Sequence, residues 1–133
     1  MKAIVLIPGY MCDDQIWINQ LAKLKKKYKV IVPSLKRGKT NKEFSLNTIK
    51  LLPKKFSIVG FSMGGFIALD LAVNYSNRVE SLVLVGTNGR SVSKERRRLL
   101  KKSQDELTNK NYIKRFSQSS FESYISKNNQ KNK

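Results

Sequence analysis

The apolar residues of this chain fall into short blocks, each ended by a turn-forming residue. Ala3-Ile4-Val5-Leu6-Ile7 is continuous and stops at Pro8-Gly9. A short β-branched run bounded in this way predicts a strand buried on both faces. Asp13-Asp14 then supplies a helix start, and Ile16, Trp17, Leu21 and Leu24 recur at helical spacing. Lys23, Lys25, Lys26 and Lys27 close the segment, so acid leads and base trails, as the helix dipole favours. Val30-Ile31-Val32, ended by Pro33, predicts a second buried strand. Residues 34–45 are polar and predict a loop, followed by a short helix over 45–52 before Pro53. Phe56-Ser57-Ile58-Val59 predicts a third strand that runs straight into Gly60-Phe61-Ser62-Met63-Gly64-Gly65. Residues 66–73 are apolar nearly all round, the pattern of a buried helix. Ser81-Leu82-Val83-Leu84-Val85, closed by Gly86, predicts a fourth strand. Strands alternating with helices predict an α/β fold: βαβ units forming a parallel sheet flanked by helices, with the first and third strands as neighbours.

Beyond Gly89 the pattern changes. Residues 91–133 hold 12 Lys/Arg and 4 Asp/Glu but few large apolar side chains. The chain therefore divides into a core segment, 1–90, and a basic segment, 91–133, with an exposed helix expected over 93–107, an amphipathic piece over 116–125 and a frayed end over 126–133. Over all 133 residues, 27 Lys+Arg against 9 Asp+Glu give a net charge of +18. That charge raises nucleic acid or an anionic membrane as partners. The lysines are spread along most of the length and no nucleic-acid motif accompanies them, so the charge reads as a Lys-rich solvated surface and nucleic acid is not the expected partner. No apolar run approaches the ~20 residues of a membrane span, and no signal-peptide core is present, so the expected location is the cytoplasm.

The chain has no His and one Cys. A His metal site, a His general base and a His-completed triad are all excluded within it. A lone Cys12 excludes an internal disulfide framework and a multi-Cys zinc site. No metal and no cofactor is expected.

Gly60-Phe61-Ser62-Met63-Gly64 matches G-x-S-x-G, the nucleophile elbow, and sits where that motif must sit, between an apolar strand and an apolar helix. The serine of such an elbow lies on a turn so sharp that its backbone is strained. Glycines two before and two after keep neighbouring backbones from colliding with it. The helix that follows points its first N–H groups at the site, where they favour developing negative charge. Pro8-Gly9-Tyr10-Met11-Cys12-Asp13 closes the neighbouring strand and can present a backbone N–H beside the elbow. The candidate site is therefore Ser62 as catalytic nucleophile, Gly60 and Gly64 as elbow glycines, and the backbone N–H groups of Tyr10 and Met63 as an oxyanion hole.

On these residues the chain resembles the α/β-hydrolase superfamily, in particular its small bacterial serine hydrolases. The segment from Leu6 to Asp13, extended to Trp17, resembles their oxyanion loop. Residues 60–65 resemble their elbow, and Arg78 to Thr87 the strand after it. The resemblance covers roughly residues 2–90. Residues 91–133 are similar only in placement, to the start of the helical cap of that superfamily. It implies a carboxylic ester or related acyl-bond hydrolase acting on a small-molecule ester or acyl substrate. It also implies a triad completed by an acid after a later strand and a His near the C-terminus.

Neither partner is found here. Thr87 and Asn88 stand at the strand end where some members carry the acid. Glu95, Asp105, Glu106 and Glu122 lie in exposed-looking helical sequence, and Asp70, on the elbow helix, reads as a local partner. The expectation is the N-terminal portion of a serine hydrolase, nearly inactive alone, because a serine hydroxyl without a base is a poor nucleophile. A sheet of four strands also leaves an edge uncovered, so poor solubility or partial unfolding is expected. The alternative reading is a non-enzymatic fragment or basic interaction module binding anionic partners. Its densest charge lies at Lys94, Arg96, Arg97, Arg98, Lys101 and Lys102. Oligomeric state is left open.

Other motifs fail on their chemistry. Arg37-Gly38-Lys39-Thr40 ends like a phosphate-binding loop, but Pro33 stands where that loop needs Gly. The glycines of 60–65 do not have dinucleotide spacing. Asn74-Tyr75-Ser76 matches a glycosylation acceptor, which carries nothing without secretion. Cys12 has no neighbouring base and reads as packing, and Trp17 as a core anchor.

Overall fold

A computed structural model describes residues 1–35, 38–106, 109–112, 114–115 and 118–119. It divides into two compact units, Met1–Gly89 and Arg90–Lys133. The first unit contains β1 (Ala3–Ile7), a 3-10 turn (Asp14–Trp17), α1 (Ile18–Leu24), β2 (Lys29–Ile31), α2 (Asn41–Ile49), β3 (Phe56–Phe61), α3 (Met63–Asn74) and β4 (Val79–Val85). The four strands form one parallel sheet in the order β2-β1-β3-β4. The first and third strands are indeed neighbours, with Leu6 beside Val59 and Ile7 beside Gly60.

The core lies on these central strands. Val5, Ile7, Phe56 and Ile58 are fully buried, as are Ile67, Ala68 and Leu71 of α3. Apolar continuity in β1 thus marks a central strand, as its composition predicts. Trp17 anchors the 3-10 turn, at 8% exposure. Asp13 caps that turn, its Oδ1 accepting the Gln15 N–H at 2.9 Å.

Three expectations need correction. β2 is no buried strand: it has three residues, begins at Lys29 and lies half-buried at an edge of the sheet. The loop expected over 34–45 ends early, because α2 begins at Asn41 and closes at Ile49 rather than spanning 45–52. Thr40 caps it, its Oγ1 accepting the Glu43 N–H at 3.2 Å, and the Glu43 carboxylate accepts the Lys39 N–H at 2.9 Å. The buried face of α2 includes Ser45 and Thr48, and the Ser45 hydroxyl donates to the Asn41 carbonyl at 3.0 Å. Polar residues that satisfy themselves inside the helix erase the apolar period that would have announced it. Third, α3 is apolar all round but buried on one face only, since Phe66 and Val73 remain exposed.

The second unit holds α4 (Lys94–Asp105), capped by Ser93, whose Oγ accepts the Arg96 N–H at 3.1 Å. Leu99 and Leu100 on it are about half exposed, at 53% and 50%. The piece expected over 116–125 falls mostly outside the described residues, as Glu122 does, and residues 126–133 fall wholly outside them. No helix among the described residues is long and apolar enough to cross a membrane.

Candidate active site

The site forms where β3 hands over to α3. Ser62 stands alone between them, with φ 50° and ψ −117°, a conformation that side chains avoid. Its own N–H donates to the Val85 carbonyl at 2.9 Å, and its carbonyl accepts the Gly65 N–H at 2.9 Å. The turn is thereby tied on one side to the end of β4 and on the other to the first turn of α3.

The glycines around it are required by space. A Cβ on Gly60 would stand 2.6 Å from the Gly64 carbonyl oxygen and from the Gly65 Cα. One on Gly64 would run into the Ile7 and Pro8 carbonyl oxygens. The second clash is informative, because it brings the end of β1 directly against the start of α3. A Cβ on Gly9 would lie 3.3 Å from the Ser62 Cβ. The loop after β1 therefore packs on the elbow, as the pairing of β1 with β3 requires.

That loop turns sharply. The Cys12 N–H donates to the Gly9 carbonyl at 3.2 Å, with Tyr10 and Met11 at the corner. Met11 has φ 56°, a second left-handed residue that sequence reasoning missed. A turn of this kind normally signals itself by Gly or Asn, and Met gives no such signal. Tyr10 is 62% exposed. The Tyr10 and Met63 N–H groups make no backbone hydrogen bond among the described residues. Ser62, Gly60, Gly64, Tyr10 and Met63 are thus all brought together at one end of the sheet.

A cleft of about 850 Å³ opens beside the elbow, between residues 8–14 on one wall and 32–35, 38–39, 41 and 44 on the other. Met63 reaches its lining, whereas Ser62 does not. Asp70 sits further along α3 and accepts the Asn74 amide at 3.1 Å, the local pairing expected of it. Thr87 packs against Gly65, with its Oγ1 buried and, among the described residues, without a partner. Among the described residues no group of three or more His, Cys, Asp or Glu comes together.

A pimeloyl-[acyl-carrier protein] methyl ester esterase of Legionella pneumophila (strain Paris) is 36% identical over 95 residues, covering 68% of this chain and 40% of that protein. The enzyme of the same name from Aromatoleum aromaticum is 33% identical over 92 residues, covering 64% of this chain and 37% of that protein. The chain thus spans about two fifths of the length of the curated relatives it matches. Among solved structures, a thermophilic esterase from Thermogutta terrifontis shares the fold with a TM-score of 0.73 at 24% identity, over 83% of this chain and 46% of that one. The sequence profile of the alpha/beta hydrolase fold matches residues 49–131, more than half of the chain, and the chain belongs to that family.

Proposed function

We propose that this chain supplies the nucleophile-bearing part of a serine esterase that hydrolyses carboxylic esters. The observation that carries the reading is the Ser62 backbone, held at φ 50° and ψ −117° between β3 and α3 with Gly60 and Gly64 clearing space around it. Ser62 Oγ attacks the ester carbonyl carbon. The electron pair displaced onto the carbonyl oxygen is held by the N–H groups of Tyr10 and Met63, the second of which opens α3 and so carries the helix dipole. Collapse of the intermediate expels the alcohol and leaves an acyl group on Ser62, which water then removes. The names of the two relatives favour the methyl ester of a carrier-bound acyl group as the substrate class. The cytoplasm is the matching location.

Proton transfer needs a base near Ser62. The chain contains no His, so a His base has to come from outside these 133 residues, and we assign the acid that orients it to the same remainder. By itself the chain retains at most the oxyanion hole, worth on the order of a thousandfold over water. We assign residues 91–133, by their place in the sequence, to the start of the helical cap segment of the fold. In the protein completed with a His- and acid-bearing remainder, a fluorophosphonate probe labels Ser62. Labelling that survives Ser62→Ala would sink the proposal.

The exposed basic side chains of α4, from Lys94 to Lys102, favour the second reading, a basic module for anionic partners. It requires a complex with nucleic acid or anionic vesicles that weakens steeply with salt. No binding at low salt removes it.

A further inference from the structure

The ring of Phe61, the residue before Ser62, lies between two glycines on the neighbouring strands. A Cβ on Gly9, just after β1, would stand 3.0 Å from its Cδ1 and 3.2 Å from its Cε1. A Cβ on Gly86, just after β4, would stand 3.4 Å from its Cε2 and 3.8 Å from its Cδ2. These are opposite edges of one ring, and β1 and β4 are the two neighbours of β3 in the sheet. The ring therefore reaches across the end of the sheet, from the exit of β1 to the exit of β4. The two glycines have different causes. Gly86 has φ 59°, a backbone that favours glycine whatever surrounds it. Gly9 has no positive φ, so its backbone suits any residue. What forbids a side chain there is the Phe61 ring, together with the Ser62 Cβ at 3.3 Å.

Gly9 opens the peptide that carries the Tyr10 N–H. The carbonyl of that peptide is committed to the turn, where it accepts the Cys12 N–H at 3.2 Å. The peptide is trans, so its N–H points the opposite way. The two N–H groups assigned to the oxyanion are held very differently. That of Met63 belongs to the first residue of α3, and the bond from the Gly65 N–H to the Ser62 carbonyl ties that first turn to the elbow. That of Tyr10 belongs to an exposed turn, with Tyr10 at 62% and Met11 at 79% exposure, and makes no backbone hydrogen bond among the described residues. A donor stabilises an oxyanion only when it is already in place as the charge develops. The Cys12–Gly9 bond fixes which way the Tyr10 N–H points, and the seat of Gly9 on the ring fixes how near it lies. Phe61 suits that task, because it is itself anchored in β3, in register with Val85.

We propose that Phe61 is a positioning residue of the site: its ring is a spacer that holds Gly9, and through it the Tyr10 N–H, at a set distance from Ser62. Met63 reaches the lining of the cleft and Phe61 does not, so the ring acts through the loop rather than on the substrate. Removing the ring edge lets Gly9 settle toward β3 and carries the donor out of place. An ester bound in its ground state loses nothing by this, whereas the tetrahedral intermediate loses a hydrogen bond. The inference rests on the esterase reading and deepens it by naming what holds one of its two donors.

The test compares Phe61→Leu, which deletes the ring edges, with Phe61→Tyr, which keeps both. In the protein completed with a His- and acid-bearing remainder, hydrolysis of p-nitrophenyl butyrate is the readout. Phe61→Leu lowers kcat by about tenfold to a hundredfold and leaves KM unchanged, the signature of an interaction made only in the transition state. Phe61→Tyr keeps most of the parent kcat. Gly9→Ala, which presses a methyl on the ring, also lowers kcat, and adding Phe61→Leu to it recovers part of the loss, so the two changes are not additive. In the 133-residue chain by itself, Phe61→Leu moves the Tyr10 amide resonance in the NMR spectrum and Phe61→Tyr leaves it near its parent position. If Phe61→Leu melts early, Phe61→Met takes its place. A kcat untouched by the loss of the ring, a rise in KM alone, a Tyr variant as slow as the Leu variant, or a Tyr10 amide that does not move overturns the proposal. A completed parent that fluorophosphonate does not label sinks the esterase reading instead, and the Tyr10 amide then decides the spacer alone.

Discussion

Ser62 and Met11 hold the positive φ angles found outside glycine among the described residues, 50° and 56°. Each is a local cost that the surrounding structure overrides, of about 1–3 kcal/mol. Glycine at either position removes the clash of Cβ with its own backbone. Ser62→Gly therefore raises stability by about 1 kcal/mol while deleting the hydroxyl, and Met11→Gly does the same without touching it. Urea titrations of the two variants measure this, and a loss of stability in both would contradict the strain argument. Gly64→Ala has the opposite sign. Its methyl meets the Ile7 and Pro8 carbonyls, both backbone, so neither can swing away, and the cost is about 2 kcal/mol or more. Thr87 offers a gain. Its buried Oγ1 has no partner among the described residues, and Thr87→Val keeps the shape against Gly65, so urea midpoints rise by the equivalent of up to about 1 kcal/mol. The strain at Ser62 was legible from the sequence, because three fixed positions in G-x-S-x-G exist to accommodate it. The strain at Met11 was not, because nothing in the residue type encodes it; it follows from how the loop after β1 closes on the elbow.

At the scale of elements, legibility tracked whether the buried face of each element is apolar. β1, β3 and α3 bury Val, Ile, Leu and Phe, and their existence could be read directly. α2 buries Ser45 and Thr48 beside Ile49, and its start is written in a cap rather than in hydropathy. Thr40→Ala tests that cap. It frees the Glu43 N–H and costs about 1 kcal/mol, read from the shift in thermal midpoint. The far end of α2 is held by a residue distant in sequence. The Arg78 guanidinium bonds the Leu52 and Pro53 carbonyls, approaches that of Ile49 at 3.4 Å, and lies 5.8 Å from the centre of the Phe56 ring. It therefore joins the end of α2 to the start of β4. Arg78→Leu leaves part-buried carbonyls without a donor and costs about 2 kcal/mol, whereas Thr40→Ala affects only the first turn of α2. Amide exchange separates the two, since only the Arg78 variant loosens residues 49–53 and the start of β4 together. No sequence pattern announced this tie, because its two ends lie 25 residues apart or more.

For the whole molecule, two features act against each other. The edge of β4, which pairs with no second strand among the described residues, favours association, and the net charge of +18 opposes it. Their ranges differ. Strand pairing acts at contact, whereas charge repulsion reaches about 30 Å at 0.01 M salt and about 10 Å at 0.1 M. The balance is therefore set by ionic strength. At low salt the chain alone remains dispersed, and as salt rises the repulsion is screened while the apolar edge is not, so association sets in. Sedimentation velocity across that range measures it, with Val83→Lys shifting the onset to higher salt. A monodisperse, cooperatively melting monomer at every salt concentration would remove the edge from consideration. The same titration separates the two functional readings, because a complex of the α4 basic face with an anionic partner has the opposite salt dependence. Such a complex weakens as counterions compete, whereas edge-driven association persists or strengthens. The sign of the salt effect thus reports which surface of the chain its partners use.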